Sequence, residues 1–168
     1  MSPMLPRVLI ADDQEVILQS LGAALECANL EVCGVAKDGA EALIKAQELR
    51  PDLIILDLTM PVMNGLEAAR QIGRILPNVP MLLYTLTDTP QVRREGLQAG
   101  IRQVVSKSAG TGVLLREVET ALRRPANEKS VAPARIGNAL PLAVTSAEQP
   151  DRSGQLVDSS ETDPPKAS

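Results

Sequence analysis

Along the first 124 residues one pattern recurs five times: a short apolar run, a polar loop, then a segment with apolar positions every three to four residues. The runs cover 8–11, 32–36, 53–56, 81–84 and 102–106, and amphipathic helices are predicted near 15–28, 38–49, 65–76, 90–99 and 111–123. In the second helix Ala42, Leu43, Ala46 and Leu49 share one face, Asp38 is placed to cap its start, and Glu41 follows three residues on. Pro51 ends that helix and forces an extended approach into the third strand. Asn64-Gly65 marks a helix start and Ala99-Gly100 a helix stop. Short strands that are apolar on both faces and alternate with helices predict an α/β fold with a doubly wound parallel sheet. Beyond Arg124 the pattern stops. Six prolines (125, 133, 141, 150, 164 and 165) are scattered among Ser, Ala and Glu, without one aromatic residue. Such a stretch cannot bury enough surface to offset its ordering entropy, so 125–168 is expected to be a disordered tail. Its one apolar island is Ile136–Val144.

Composition narrows the chemistry. Aromatic residues are 1% of the chain, with no Trp, no Phe and a single Tyr84, so the core must be aliphatic. Stacking platforms for single-stranded nucleic acid are absent, and a net charge of −4 opposes a nucleic-acid surface. No histidine occurs, which excludes histidine bases, triads and ligands from this chain. Cys27 and Cys33, with five residues between them, match no zinc or redox spacing and read as reduced thiols. No secretory leader or apolar run of membrane-spanning length is seen, so a cytoplasmic protein without membrane association is expected.

In a doubly wound sheet the site lies beyond the carboxyl ends of the strands. Strand 1 ends in Asp12-Asp13, strand 3 in Asp57, strand 4 in Thr85 and strand 5 in Lys107. Each has an ordinary alternative: Asp12 or Asp13 could cap the first helix, Thr85 could be a strand residue, and Lys107 a solvated loop residue. Asp57, after Leu-Ile-Ile-Leu, is harder to dismiss, because a carboxylate at the end of a buried strand needs a partner. Three crowded carboxylates raise one another's pKa, and a hard divalent cation with oxygen ligands, Mg²⁺, resolves the repulsion. One carboxylate could then act on phosphorus, with the lysine and the hydroxyl holding phosphoryl oxygens.

Here the sequence resembles the receiver domain of two-component response regulators. The resemblance rests on VLIADDQ at 8–14, LIILDLTMPVMNG at 53–65, the Thr85 strand end and VVSKS at 104–108, in that order and spacing. It implies a receiver domain over residues 5–124, with a flavodoxin-like five-stranded sheet in the order 2-1-3-4-5. It implies that Asp57 accepts a phosphoryl group from the phosphohistidine of a sensor histidine kinase. Asp13, Asp57 and the backbone carbonyl of Thr59 would bind Mg²⁺ directly and Asp12 through water, while Lys107 and Thr85 contact the phosphoryl group. Output would pass to a downstream protein partner, a homodimer being compatible with this; no basic DNA-reading segment follows Arg124, so no direct DNA binding is expected. Two positions depart from the family. Val104 stands where a Tyr or Phe is usual, and Leu86 where the residue after the threonine is usually small. A muted change at strand 5 is therefore expected, with output carried by 86–89.

Two other readings compete. A haloacid-dehalogenase-like phosphatase would carry a second Asp two residues after the nucleophile, where this chain has Thr59. A pseudo-receiver scaffold, working without phosphorylation, is favoured by Val104 and opposed by the intact acidic cluster. On the receiver reading the chain is not an enzyme acting on an external substrate; it catalyses only its own phosphorylation and dephosphorylation. Gly110-Thr111-Gly112 lacks the third glycine of a dinucleotide loop, and the pairs Arg93-Arg94 and Arg123-Arg124 are too short for a nucleic-acid patch.

Overall fold

A computed structural model of the chain describes residues 4–123. The expected tail 125–168, its apolar island 136–144 and Arg124 lie outside the described residues. Within them the chain runs β1 (Arg7–Ala11), α1 (Glu15–Cys27), β2 (Glu31–Ala36), α2 (Gly39–Leu49), β3 (Leu53–Leu56), α3 (Gly65–Ile75), β4 (Met81–Thr85), α4 (Pro90–Gln98), β5 (Gln103–Ser106), a 3-10 turn (Lys107–Ala109) and α5 (Thr111–Arg123). All strand pairs are parallel and the sheet order is β2-β1-β3-β4-β5. This is the doubly wound, flavodoxin-like order. The chain reverses its direction of sheet growth between β1 and β3, which opens a crevice at their carboxyl ends.

Alternation along the strands supplies two cores. Val8, Ile10, Leu53, Ile55, Leu82 and Tyr84 face one side and pack with Leu18, Leu21 and Leu25 of α1 and Leu114, Val118 and Ala121 of α5. Leu9, Ile54, Leu56, Leu83 and Val104 face the other, against Ala42 and Ala46 of α2 and Leu66, Ala69 and Ile72 of α3. All four residues of β3 are buried, so β3 is the spine of the sheet. Its continuous apolar run follows from coverage on both faces.

Helix ends follow local chemistry. Asp38 caps α2 by accepting from the Glu41 N–H at 2.8 Å, and Glu41 in turn accepts from the Lys37 N–H. Asn64 caps α3 through the Glu67 N–H, and Thr89 caps α4 through the Val92 N–H ahead of Pro90. Gly100, at φ +90°, lets the chain turn back after α4, with the Ile101 N–H returning to the Gly96 carbonyl. Neither Asp12 nor Asp13 caps α1. Gln14 holds that position without a side-chain bond, while Asp12 Oδ1 accepts from the Gln14 N–H at 3.0 Å. Boundaries move slightly too: Thr85 is the last rung of β4, paired with Ser106, and Arg102 precedes β5.

Gly65 fixes the approach of α3 to the end of β3. Its N–H donates to the Leu58 carbonyl at 3.0 Å, and a Cβ there would lie 2.0 Å from the Asp57 carbonyl oxygen. No side chain fits. We expect Gly65→Ala to cost at least about 1–3 kcal/mol, the range for overpacking, because the clash is with backbone. Gly22, inside α1 with nothing within 4 Å of its would-be Cβ, is the contrast. Gly22→Ala should stabilise by about 0.5–1 kcal/mol through helix propensity. Urea unfolding of the two variants checks both signs.

Candidate functional site

The crevice between β1 and β3 gathers the polar residues that the sheet cannot hide. Asp12 is 1% exposed, Asp57 5% and Thr85 2%, and these are the buried polar side chains among the described residues. Each stands at or one residue past a strand end, where the sheet delivers the side chain into the crevice while its backbone is still held: the Asp57 N–H donates to the Ala11 carbonyl, and the Asp12 N–H to the Ala36 carbonyl. Lys107 arrives from the far side of the sheet as the first residue of the 3-10 turn after β5. Its ammonium lies 2.6 Å from Asp12 Oδ2 and 3.3 Å from Asp57 Oδ1, with the side chain 7% exposed. Asp13 is exposed at the mouth.

The electrostatics follow from burial. Desolvation pushes the Asp57 carboxyl above the usual carboxylate range; the Lys107 charge pulls it back and the Asp12 charge pushes it up again, with a net rise. Burial alone would lower the Lys107 pKa, but the hydrogen bond to Asp12 and the charges of Asp57 and Asp12 outweigh it, and the net shift is upward. Both directions describe a cluster with more negative charge than one ammonium can balance. Asp12, Asp13 and Asp57 each offer a carboxylate oxygen, all within 4.8 Å of one another. Hard oxygen donors with surplus negative charge suit a hard divalent cation such as Mg²⁺.

A cavity of about 260 Å³ opens onto the cluster, lined by Asp13, Gln14, Asp57, Thr59, Thr85, Leu86, Thr87 and Lys107. Of the site residues expected from the sequence, Asp13, Asp57, Thr59, Thr85 and Lys107 line it, and Asp12 is bonded to Lys107 beside it. Thr59 is exposed on the rim, in a loop whose next turn strains Val62 to φ +63°, with the Met63 N–H returning to the Pro61 carbonyl. Leu86 is 67% exposed at the mouth. Val104 is 6% exposed inside the core, its Cγ2 only 3.3 Å from where a Cβ at Gly96 would stand. Sequence reasoning missed two neighbours. The Tyr84 ring centre lies 5.9 Å from the Lys107 ammonium, within cation–π range. Asp88 forms a two-bond fork with Arg93 beside the pocket wall. Tyr84 could have been found from register, since it pairs with Val105, two residues before Lys107. A larger hollow of about 620 Å³ lies at the opposite edge of the sheet, around Leu5, Arg50 and Leu122. It holds no cluster of buried charge.

The raised Asp57 pKa gives a signed expectation. A carboxyl whose folded pKa exceeds its unfolded one holds its proton more tightly in the fold, so ionising it costs stability at neutral pH. Without divalent cation, Asp57→Asn should therefore melt at a higher temperature than wild type at pH 7. The gap should close as pH falls below the ordinary carboxylate range. Calorimetry across pH 3–8 measures it, and a variant that melts lower at pH 7 contradicts the stated charge balance.

Comparison with known proteins agrees with this geometry. Residues 8–119 match the family described as the response regulator receiver domain. The chemotaxis protein CheY of Thermotoga maritima is 36% identical over 101 residues, covering 60% of this chain and 84% of that protein. The transcriptional regulatory protein PrrA of Mycobacterium tuberculosis is 37% identical over 119 residues, 71% of this chain and 51% of its own length. This chain thus spans about half the length of that regulator and of others like it. Among solved structures, Vibrio cholerae chemotaxis protein CheY4 superposes with a TM-score of 0.67 at 33% identity, covering 70% of this chain and 99% of that one. The doubly wound sheet, the acidic crevice and the match over residues 8–119 together establish that the chain belongs to the response regulator receiver domain family.

Proposed function

We propose that this chain is a phosphorylation-dependent signalling receiver in a two-component phosphorelay, accepting a phosphoryl group on Asp57 from the phosphohistidine of a sensor histidine kinase. One observation carries the reading: a buried carboxylate opening into a pocket, with a buried ammonium 3.3 Å from it. An Asp57 oxygen attacks phosphorus, the P–O bond forms as the P–N bond to the donor imidazole breaks, and the imidazole leaves with the electron pair. Lys107, already between Asp12 and Asp57, holds a phosphoryl oxygen by charge. Thr85, whose hydroxyl oxygen now accepts from the Thr87 N–H at 3.1 Å, turns to donate to another. Asp12, Asp13, Asp57 and the Thr59 carbonyl form the proposed Mg²⁺ site. When bound, the cation neutralises the carboxylates and the oxygens of the incoming group. In this reading the chain turns over no external substrate; it catalyses only its own phosphorylation and dephosphorylation, in the cytoplasm, and acts through a downstream protein partner.

One observation favours a second reading. With Val104 packed in the core where the family usually has a ring, a pseudo-receiver scaffold would need no phosphoryl group. A small-molecule phosphodonor separates the two. Incubation of the full chain with acetyl phosphate and Mg²⁺ should add one phosphoryl mass that hydroxylamine removes. Asp57→Asn should gain none, and chelation of Mg²⁺ should abolish labelling of wild type. Wild type that never gains the mass favours the scaffold; label persisting in Asp57→Asn overturns the choice of acceptor.

A further inference from the structure

The loop after β4 forms one wall of the Asp57 pocket, through Leu86 and Thr87, and runs directly into α4. Besides the Thr89 cap at the start of α4, it is anchored at two points. At the pocket end, the Thr87 N–H donates to Thr85 Oγ1. At the helix end, Arg93 donates from Nε to Asp88 Oδ1 and from Nη2 to Asp88 Oδ2, each at 2.6 Å. Two parallel charge-assisted bonds fix orientation as well as distance. The Asp88 side chain is only 16% exposed, although the guanidinium is 53% exposed. Between the anchors Leu86 is largely exposed, so no apolar packing of its own secures the wall.

We propose that Asp88 and Arg93 are a positioning pair: the fork yokes the Leu86–Thr87 wall to α4, so that occupation of the Asp57 pocket and the place of α4 are coupled. The proposal rests on the reading of Asp57 as phosphoacceptor. The Thr85 hydroxyl cannot keep its bond to the Thr87 N–H and also turn toward an oxyanion beside Lys107. Once it turns, the pocket-end anchor is gone, while the fork, one residue nearer the wall than the Thr89 cap, still ties Asp88 to α4. The displacement of the wall is then delivered to the helix instead of being absorbed in the loop. At the receiving end Gly96 of α4 packs on Val104 of β5, whose Cγ2 lies 3.3 Å from where a Gly96 Cβ would stand, so α4 meets the sheet there through its backbone. Coupling of this kind is reciprocal, and a partner that displaces α4 alters how long the phosphoryl group survives.

Exposed ion pairs add little to global stability, so loss of the fork should leave the melting temperature nearly unchanged. That separates coupling from folding. The test is amide hydrogen exchange of the full chain with and without Mg²⁺ and beryllium fluoride as the phosphoryl mimic. Wild type should change at 53–59, at 85–89 and across Pro90–Gln98. In Arg93→Gln the response at 53–59 should persist while that of α4 falls by about twofold or more. The charge-swapped double variant Asp88→Arg, Arg93→Asp should recover it. An α4 response in Arg93→Gln equal to wild type, with 53–59 still responding, overturns the coupling alone. No response at 53–59 in wild type overturns the phosphoacceptor reading, and the coupling with it.

Discussion

The structure turns on one buried ammonium. Two carboxylates, Asp12 and Asp57, are almost wholly withdrawn from water at the end of the sheet, and Lys107 lies between them. A lone buried carboxylate is far costlier than a paired one, and two without a cation would repel each other as well. The pairing is nevertheless incomplete: Asp57 holds its proton more tightly than an ordinary aspartate because burial and Asp12 outweigh Lys107. That surplus of negative charge suits a further cation, and Asp57 and Asp13 are the carboxylates that line the pocket.

The fold exists around this arrangement. Parallel strands all deliver their ends to the same edge, and the reversal of order between β1 and β3 puts the three carboxylates side by side. Gly65 lets α3 start against the Asp57 carbonyl, while the Asp57 N–H bond to the Ala11 carbonyl holds the phosphoacceptor candidate by its backbone. Asp12 divides its two oxygens between the Lys107 ammonium and the Gln14 N–H, so the start of α1 is tied to the same charge centre. On the far side, Thr85 and the fork from Asp88 to Arg93 connect it to α4.

Much of this was legible in the chain because the relevant rules are local. Apolar runs bounded by helix patterns specify a parallel sheet, and such a sheet has one functional edge, so Asp57, Thr85 and Lys107 could be placed together without coordinates. The division of labour between Asp12 and Asp13 was less accessible. Adjacent residues leave a strand in opposite directions, and only packing decides that Asp12 turns inward to Lys107 while Asp13 stays exposed. Lys107 follows from its place at the end of strand 5, but the 3-10 turn that brings its ammonium between Asp12 and Asp57 has no signal in the pattern. The fork was invisible for a different reason. Asp88 and Arg93 are five apart and straddle the Thr89 cap, a spacing that neither helix nor strand periodicity singles out.

The central claim is that Lys107 makes this concentration of buried carboxylate tolerable, and the unfolding free energy of Lys107→Met tests it most directly. The Lys107 pKa is raised in the fold, so its contribution is fully present below the ordinary lysine range and is lost only above it. A measurement at pH 7 without divalent cation therefore falls inside the window. Removing one partner of a buried pair should cost about 3 kcal/mol there, and the loss should shrink as acid protonates Asp57, whose carboxyl lies above the usual carboxylate range. A variant as stable as wild type at pH 7, or one whose deficit does not depend on pH, would contradict the account.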